Sequence, residues 1–143
     1  MTIKINNGIV KFELVDQQAD EKPTASQHQE MPTRPAVLNG KTYEIYNQQQ
    51  TTFITINDQL MADGQQRPYE ILINTTHAQD YSGLTAIARL SSRLLQQGVK
   101  LADIADQLGD IFDPTGGFNE ASGEAYSSLI AAIAQRLKQH QAE

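Results

Sequence analysis

The chain has 143 residues, 39% of them hydrophobic, with no Cys, no Trp and a formal net charge of −6. The length fits one ordinary domain with one real core. The absence of Cys excludes disulfides, thiol nucleophiles and thiolate metal sites, and the negative charge argues against direct binding to nucleic acid.

No run approaches the roughly 20 apolar residues of a spanning helix. The opening residues Met1 to Asn6 contain no signal-peptide core, so a cytoplasmic location is the expectation and no membrane partner is expected.

The first expected element is N-terminal strands over residues 1–15. Ile3, Ile5, Val10, Phe12 and Leu14 alternate with polar residues around Asn7-Gly8, a hairpin pattern. One continuous strand with a bulge at Gly8 is the alternative. Residues 16–40 then break the alternation with Pro23, Pro32 and Pro35 among many Gln, Glu and Asp. That composition predicts a flexible linker, mobile or extended along the surface. Met31 and the patch Ala36-Val37-Leu38 offer apolar anchors for its end.

From residue 41 to 143 we expect an α+β domain. Thr42 to Tyr46, Thr51 to Ile56 and Pro68 to Asn74 are β-prone segments, with Asp63-Gly64 as a turn between the last two. They predict an antiparallel sheet with one buried face. Leu84, Ile87, Ala88, Ser91, Leu94 and Leu95 follow at helical spacing, with Gly98 as a C-terminal stop. Leu101, Ile104, Ala105, Leu108, Ile111 and Phe112 predict a second helix ended by Asp113-Pro114. Tyr126, Leu129, Ile130, Ile133 and Leu137 predict a third. Strands first and helices after imply about three helices packed on one sheet face.

Candidate chemistry is sparse. His28, His77 and His140 never pair at ligand spacing, so no metal site and no cofactor are expected. His140 falls at a C-terminus expected to fray. His77, Asp80 and Ser82 hold the residue types of a hydrolase triad, but at a helix start they read first as caps. Asp103, Asp106, Asp110 and Asp113 recur on one helix flank. They read as a solvated face, with weak Mg²⁺ binding as the alternative. Gly116 and Gly117 sit in a turn-rich loop that could cradle a phosphate, although no Lys-Ser/Thr follows to make a P-loop. Arg89 and Arg93 are four apart on one helix face. Together with Arg67 they form the best candidate site, able to hold an anion by charge-assisted bonds.

Several segments also occur in a telling order. Thr55-Ile56-Asn57-Asp58 precedes Asp63-Gly64 and Arg67-Pro68-Tyr69-Glu70-Ile71-Leu72-Ile73-Asn74. Leu84 to Ser92, Gln97-Gly98, Ile111-Phe112-Asp113-Pro114 and Gly116-Gly117 follow. From about Tyr43 to His140 this order resembles the C-terminal domain of adenosylcobalamin-dependent (class II) ribonucleotide reductases, here as a stand-alone protein. The catalytic barrel, the cobalamin site and the radical-chain cysteines of that family have no counterpart. The resemblance therefore implies no catalytic residue. It implies a non-catalytic accessory or regulatory module linked to ribonucleotide reductase, with a reductase subunit or a nucleotide as partner. A small-anion or nucleotide-binding protein unrelated to reduction is the alternative, and a hydrolase acting through His77 or the Asp flank is a third. A short meander leaves a strand edge unless something covers it, so a homo-oligomer is expected.

Overall fold

A computed structural model of the chain describes residues 32–140. The strands expected over residues 1–15, and the linker up to residue 31, lie outside the described residues. Strands β1 (Asn39–Tyr46), β2 (Thr51–Leu60) and β3 (Gln66–Thr75) form an antiparallel meander in the order β1-β2-β3. Helices α1 (Tyr81–Gln96) and α2 (Leu101–Gly109) follow. A two-residue pair, β4 (Phe118–Asn119) and β5 (Ala125–Tyr126), then leads into α3 (Leu129–Gln139). The expected α+β order, a three-stranded sheet and then three helices, is what the chain forms.

Period-two alternation sets the sheet's two faces. Ile54 lies opposite Tyr43 and Ile73, and Ile56 lies opposite Ile71. With Ile45 these side chains point into the core, where Ile45, Ile54 and Ile56 are fully buried. The helices cover this face. Leu84, Ala88 and Leu95 from α1, Ile104 and Ala105 from α2, and Ala132, Ile133 and Leu137 from α3 complete one cluster. The opposite face carries Thr42, Glu44, Phe53, Thr55, Leu72 and Asn74, and no described helix covers it; Phe53 and Leu72 are exposed.

The β2–β3 register shifts after Asn57. Asn57 faces Glu70 but Asp58 faces Pro68, so Tyr69 is the extra residue of a bulge on β3. Beyond the bulge both Asp58 and Gln59 are buried.

The sheet's edges are partly occupied. On β3, the Ile71 N–H donates to Ser92 Oγ of α1 at 2.8 Å, and the same hydroxyl stands 3.1 Å from the Ile71 carbonyl oxygen. On β1, the Ala121 N–H donates to the Tyr46 carbonyl at 2.9 Å. Residues 32–38, within the described part (32–40) of the expected linker, have no regular structure and are tied to the sheet. Gln59 Nε2 donates to the Pro32 and Thr33 carbonyls, and Arg34 grips Glu70 with two bonds of 2.9 and 2.8 Å. These ties are polar; within the expected apolar patch Val37 is 79% exposed and Leu38 is half-buried, and Met31 lies outside the described residues. Asn39 and Gly40 already belong to β1.

Two helices differ from their expected spans. Gly98, with φ +86°, follows α1 as expected. Helix α2, however, stops at Gly109 and leaves Ile111 and Phe112 outside it. The loop captures the backbone that would have continued the helix. The Ile111 carbonyl accepts from both Ser127 Oγ (3.0 Å) and Ser128 Oγ (2.7 Å), and the Asp113 N–H donates to the Ser127 carbonyl. Helix α3 starts after Tyr126 because Ser128 caps it, its Oγ accepting from the Ala131 N–H at 2.9 Å.

Candidate functional site

Helix α1 turns Leu84, Ala88, Ser91 and Leu95 inward, which puts Arg89 and Arg93 on its outer side. There they line a cavity of about 550 Å³ between α1 and β3. Leu72 and Tyr81, both about half exposed, line it with them, as does Asn74. Neither arginine makes an ion pair or a side-chain hydrogen bond among the described residues. Glu70 also borders the cavity, but its carboxylate is taken by Arg34 and by Asn57 Nδ2 at 2.8 Å. The Arg34 bond, and then that of Asn57, hold the Glu70 carboxyl below its ordinary range against the opposing pull of burial.

Arg67 is not part of this cavity. It donates to Asp63 Oδ2 at 3.0 Å across the β2–β3 turn, a half-exposed pair. Gly116 and Gly117 line a different cleft, of about 670 Å³, between the β1–β2 turn, the start of α1 and the loop before α3. Gly116 has φ +134°, and a Cβ on Gly117 would strike the Tyr126 carbonyl oxygen. The structure thus joins two of the three arginines and places the third arginine and the glycines elsewhere.

His77 and Asp80 stand at the rim of that second cleft. His77 Nδ1 lies 3.1 Å from Asp80 Oδ2, and Asp80, although at the N-cap position of α1, makes no side-chain cap bond. The expected capping by Asp80 and Ser82 is corrected accordingly: the carboxylate takes the imidazole N–H as its donor. The acidic flank of α2 disperses. Asp106 pairs with Lys138 at 2.7 Å, and Asp113 accepts from the Thr115 Oγ1–H and N–H, which lower its pKa. Among the described residues no group of three His, Asp or Glu could hold a metal ion, and no helix is long and apolar enough to cross a membrane.

The model of the TSCPD domain matches residues 21–141. The chain belongs to the TSCPD domain family. This domain is found in ribonucleotide reductase-related proteins. No curated protein and no solved structure matches the chain.

Sequence reasoning missed two buried polar clusters of this TSCPD domain. His140, expected to fray, is 8% exposed; its Nε2 lies 2.9 and 3.1 Å from the two Asp58 oxygens and its Nδ1 lies 3.0 Å from Tyr43 Oη. A signal was present. Asp58 has the same strand parity as Ile54 and Ile56, and His140 continues the Ile133–Leu137 stripe at helical spacing. The second cluster is Glu120 with Arg136, whose Nη2 donates to Glu120 Oε1 at 12% and 5% side-chain exposure. No spacing pattern foretold it, because Glu120 lies in the β4–β5 turn.

Proposed function

We propose that this TSCPD domain is a non-catalytic accessory or regulatory module of ribonucleotide reductase, a counterpart of the C-terminal domain of the class II enzymes, and that it binds a nucleotide through Arg89 and Arg93. The observation that carries the reading is the unpaired arginine couple. In a chain of net charge −6, two guanidinium groups stand one turn apart on a cavity wall without a carboxylate partner among the described residues, beside Tyr81. Guanidinium groups bind phosphate by paired, charge-assisted hydrogen bonds, and an adjacent aromatic ring gives a base something to stack on. Each such bond to phosphate contributes roughly 1.5–3 kcal/mol. Titration calorimetry with the common nucleoside triphosphates tests this. Arg89→Ala weakens binding about tenfold or more and leaves the fold intact. No heat from any nucleotide removes the nucleotide reading.

A docking role rests on a different observation, the sheet face that no described helix covers, with exposed Phe53 and Leu72. Its partner would be a reductase subunit or a second copy of the chain. Co-purification from the native host reads the first, and light scattering at high micromolar concentration reads the second.

A further inference from the structure

The second cleft differs from the arginine cavity in its chemistry. It measures about 670 Å³, within the range of small-ligand sites. Among the described residues its wall holds four side-chain amides, from Asn47, Gln49, Gln50 and Gln79, and no Lys or Arg. Its two carboxylates are engaged, Asp80 by His77 and Asp113 by Thr115. A free phosphate would meet these carboxylates and, among the described residues, no Lys or Arg, so an anion is disfavoured. Uncharged groups with donors and acceptors on a flat edge suit the wall best.

The amides are available for such a ligand. Asn47 Oδ1 accepts from the Gln49 and Gln50 N–H groups, both at 2.9 Å, which fixes the amide and leaves its Nδ2 as a donor. The side chains of Gln49, Gln50 and Gln79 make no hydrogen bond among the described residues. A carboxylate only accepts, so His77 Nδ1 carries the proton toward Asp80 and Nε2 is the nitrogen left for other contacts.

Phe112 supplies the apolar surface. It lines the cleft and is 70% exposed. This exposure does not come from a loose backbone. The residue before it is held by both serine hydroxyls on the Ile111 carbonyl, and the residue after it by the Asp113 N–H on the Ser127 carbonyl. A large ring is therefore displayed from a pinned backbone, beside Ile111, which is itself 37% exposed. Nothing in the core requires that placement, whereas a stacking platform does.

We infer that this cleft binds an uncharged nucleobase-like heteroaromatic ring, stacked on Phe112 and read along its edge by the amides of Asn47, Gln49, Gln50 and Gln79. Gln and Asn amides match the paired donor and acceptor of a base edge, as with the N6 and N7 of adenine, and an aromatic ring accepts the base's π-face. The proposal is independent of the arginine site, because it needs no phosphate.

The test uses the full chain and four phosphate-free nucleosides: adenosine, guanosine, cytidine and uridine. Amide NMR shifts are followed through each titration. The expected result is saturable shifts at Gln49, Gln50, Gly116 and Gly117 with at least one nucleoside, with little dependence on salt. Phe112→Ala loses about tenfold in affinity, and Phe112→Leu, which keeps an apolar side chain without a ring, loses affinity as well. The amide spectra themselves report that both variants fold. The proposal is overturned by an absence of saturable shifts into the millimolar range. Shifts confined to the α1–β3 cavity, or undiminished binding in both variants, overturn it equally. Failure here leaves the triphosphate titration at Arg89 unaffected.

Discussion

Two polar clusters of this TSCPD domain make an instructive pair. At one end of the sheet, Asp58, His140 and Tyr43 are linked in a chain of hydrogen bonds, with His140 and Asp58 buried. Along the β3 side, Arg89 and Arg93 are exposed and have no partner among the described residues. The first cluster has the residue types of a catalytic relay, and the second has those of an ordinary solvated helix face. Their surroundings reverse that impression. A buried group whose hydrogen bonds are all met within the protein has nothing left for a ligand, and it holds the C-terminal end of α3 against β1 and β2. An exposed cation with no intramolecular partner keeps its bonding capacity for something else. Satisfaction of polar groups separates the structural cluster from the candidate binding cluster better than residue type does.

The largest effect that would break this contrast is expected at His140. His140→Ala leaves the buried Asp58 carboxylate without its partner, and unfolding in urea should show a loss of about 3 kcal/mol. Tyr43→Phe removes only the outer bond and should cost about 1 kcal/mol. If both variants are as stable as the parent, the cluster is not structural and a functional role returns.

Ser128 sharpens the comparison next, since its buried hydroxyl serves two elements. It caps α3 through Ala131 and donates to the Ile111 carbonyl. Ser128→Ala should destabilise by about 1–2 kcal/mol, read as a lower urea midpoint. It should also release the loop that displays Phe112, which hydrogen exchange at residues 111–113 would report.

A smaller effect concerns Glu70, which sits between the two clusters. Its pKa is lowered chiefly by the Arg34 hydrogen bond. A carboxylate depressed on folding contributes stability that is present above its unfolded value and is lost as pH falls through its folded value. Stability should therefore fade as pH drops below the ordinary carboxyl value of 4.5, and Glu70→Gln should flatten that part of the profile. The Arg34 side chain is 45% exposed, so solvent screening keeps this contribution small. The same substitution should loosen residues 32–38, making them the first site cut by limited proteolysis among the described residues.

The smallest effect belongs to the arginines themselves. Arg89→Ala and Arg93→Ala should change stability by no more than about 0.5 kcal/mol, while nucleotide binding falls. A large loss of stability would show that these side chains support the fold and would weaken the case for a ligand.

Much of the fold was legible in the sequence because it rests on short periods. Alternation at Thr51 to Ile56 sorts Ile54 and Ile56 from Phe53 and Thr55, and helical spacing from Leu84 to Leu95 marks the buried side of α1. Gly98 and Asp63-Gly64 mark their turns because few other residues tolerate positive φ. The pairing of Arg89 with Arg93 on one helix face follows from the same geometry. Tertiary structure alone decided the rest. Whether α2 ran on to Phe112 depended on two serine hydroxyls sixteen and seventeen residues away from Ile111. Whether Arg67 joined the other arginines depended on where α1 packs along β3, which leaves Arg67, at the turn end of the strand, outside the cavity. His140 became core because Asp58, eighty-two residues earlier, lay beneath it with Tyr43 alongside. Periodicity assigns a residue to a face, but a polar side chain is settled by the partner it finds there, and that partner is set by distances between segments that no local pattern records.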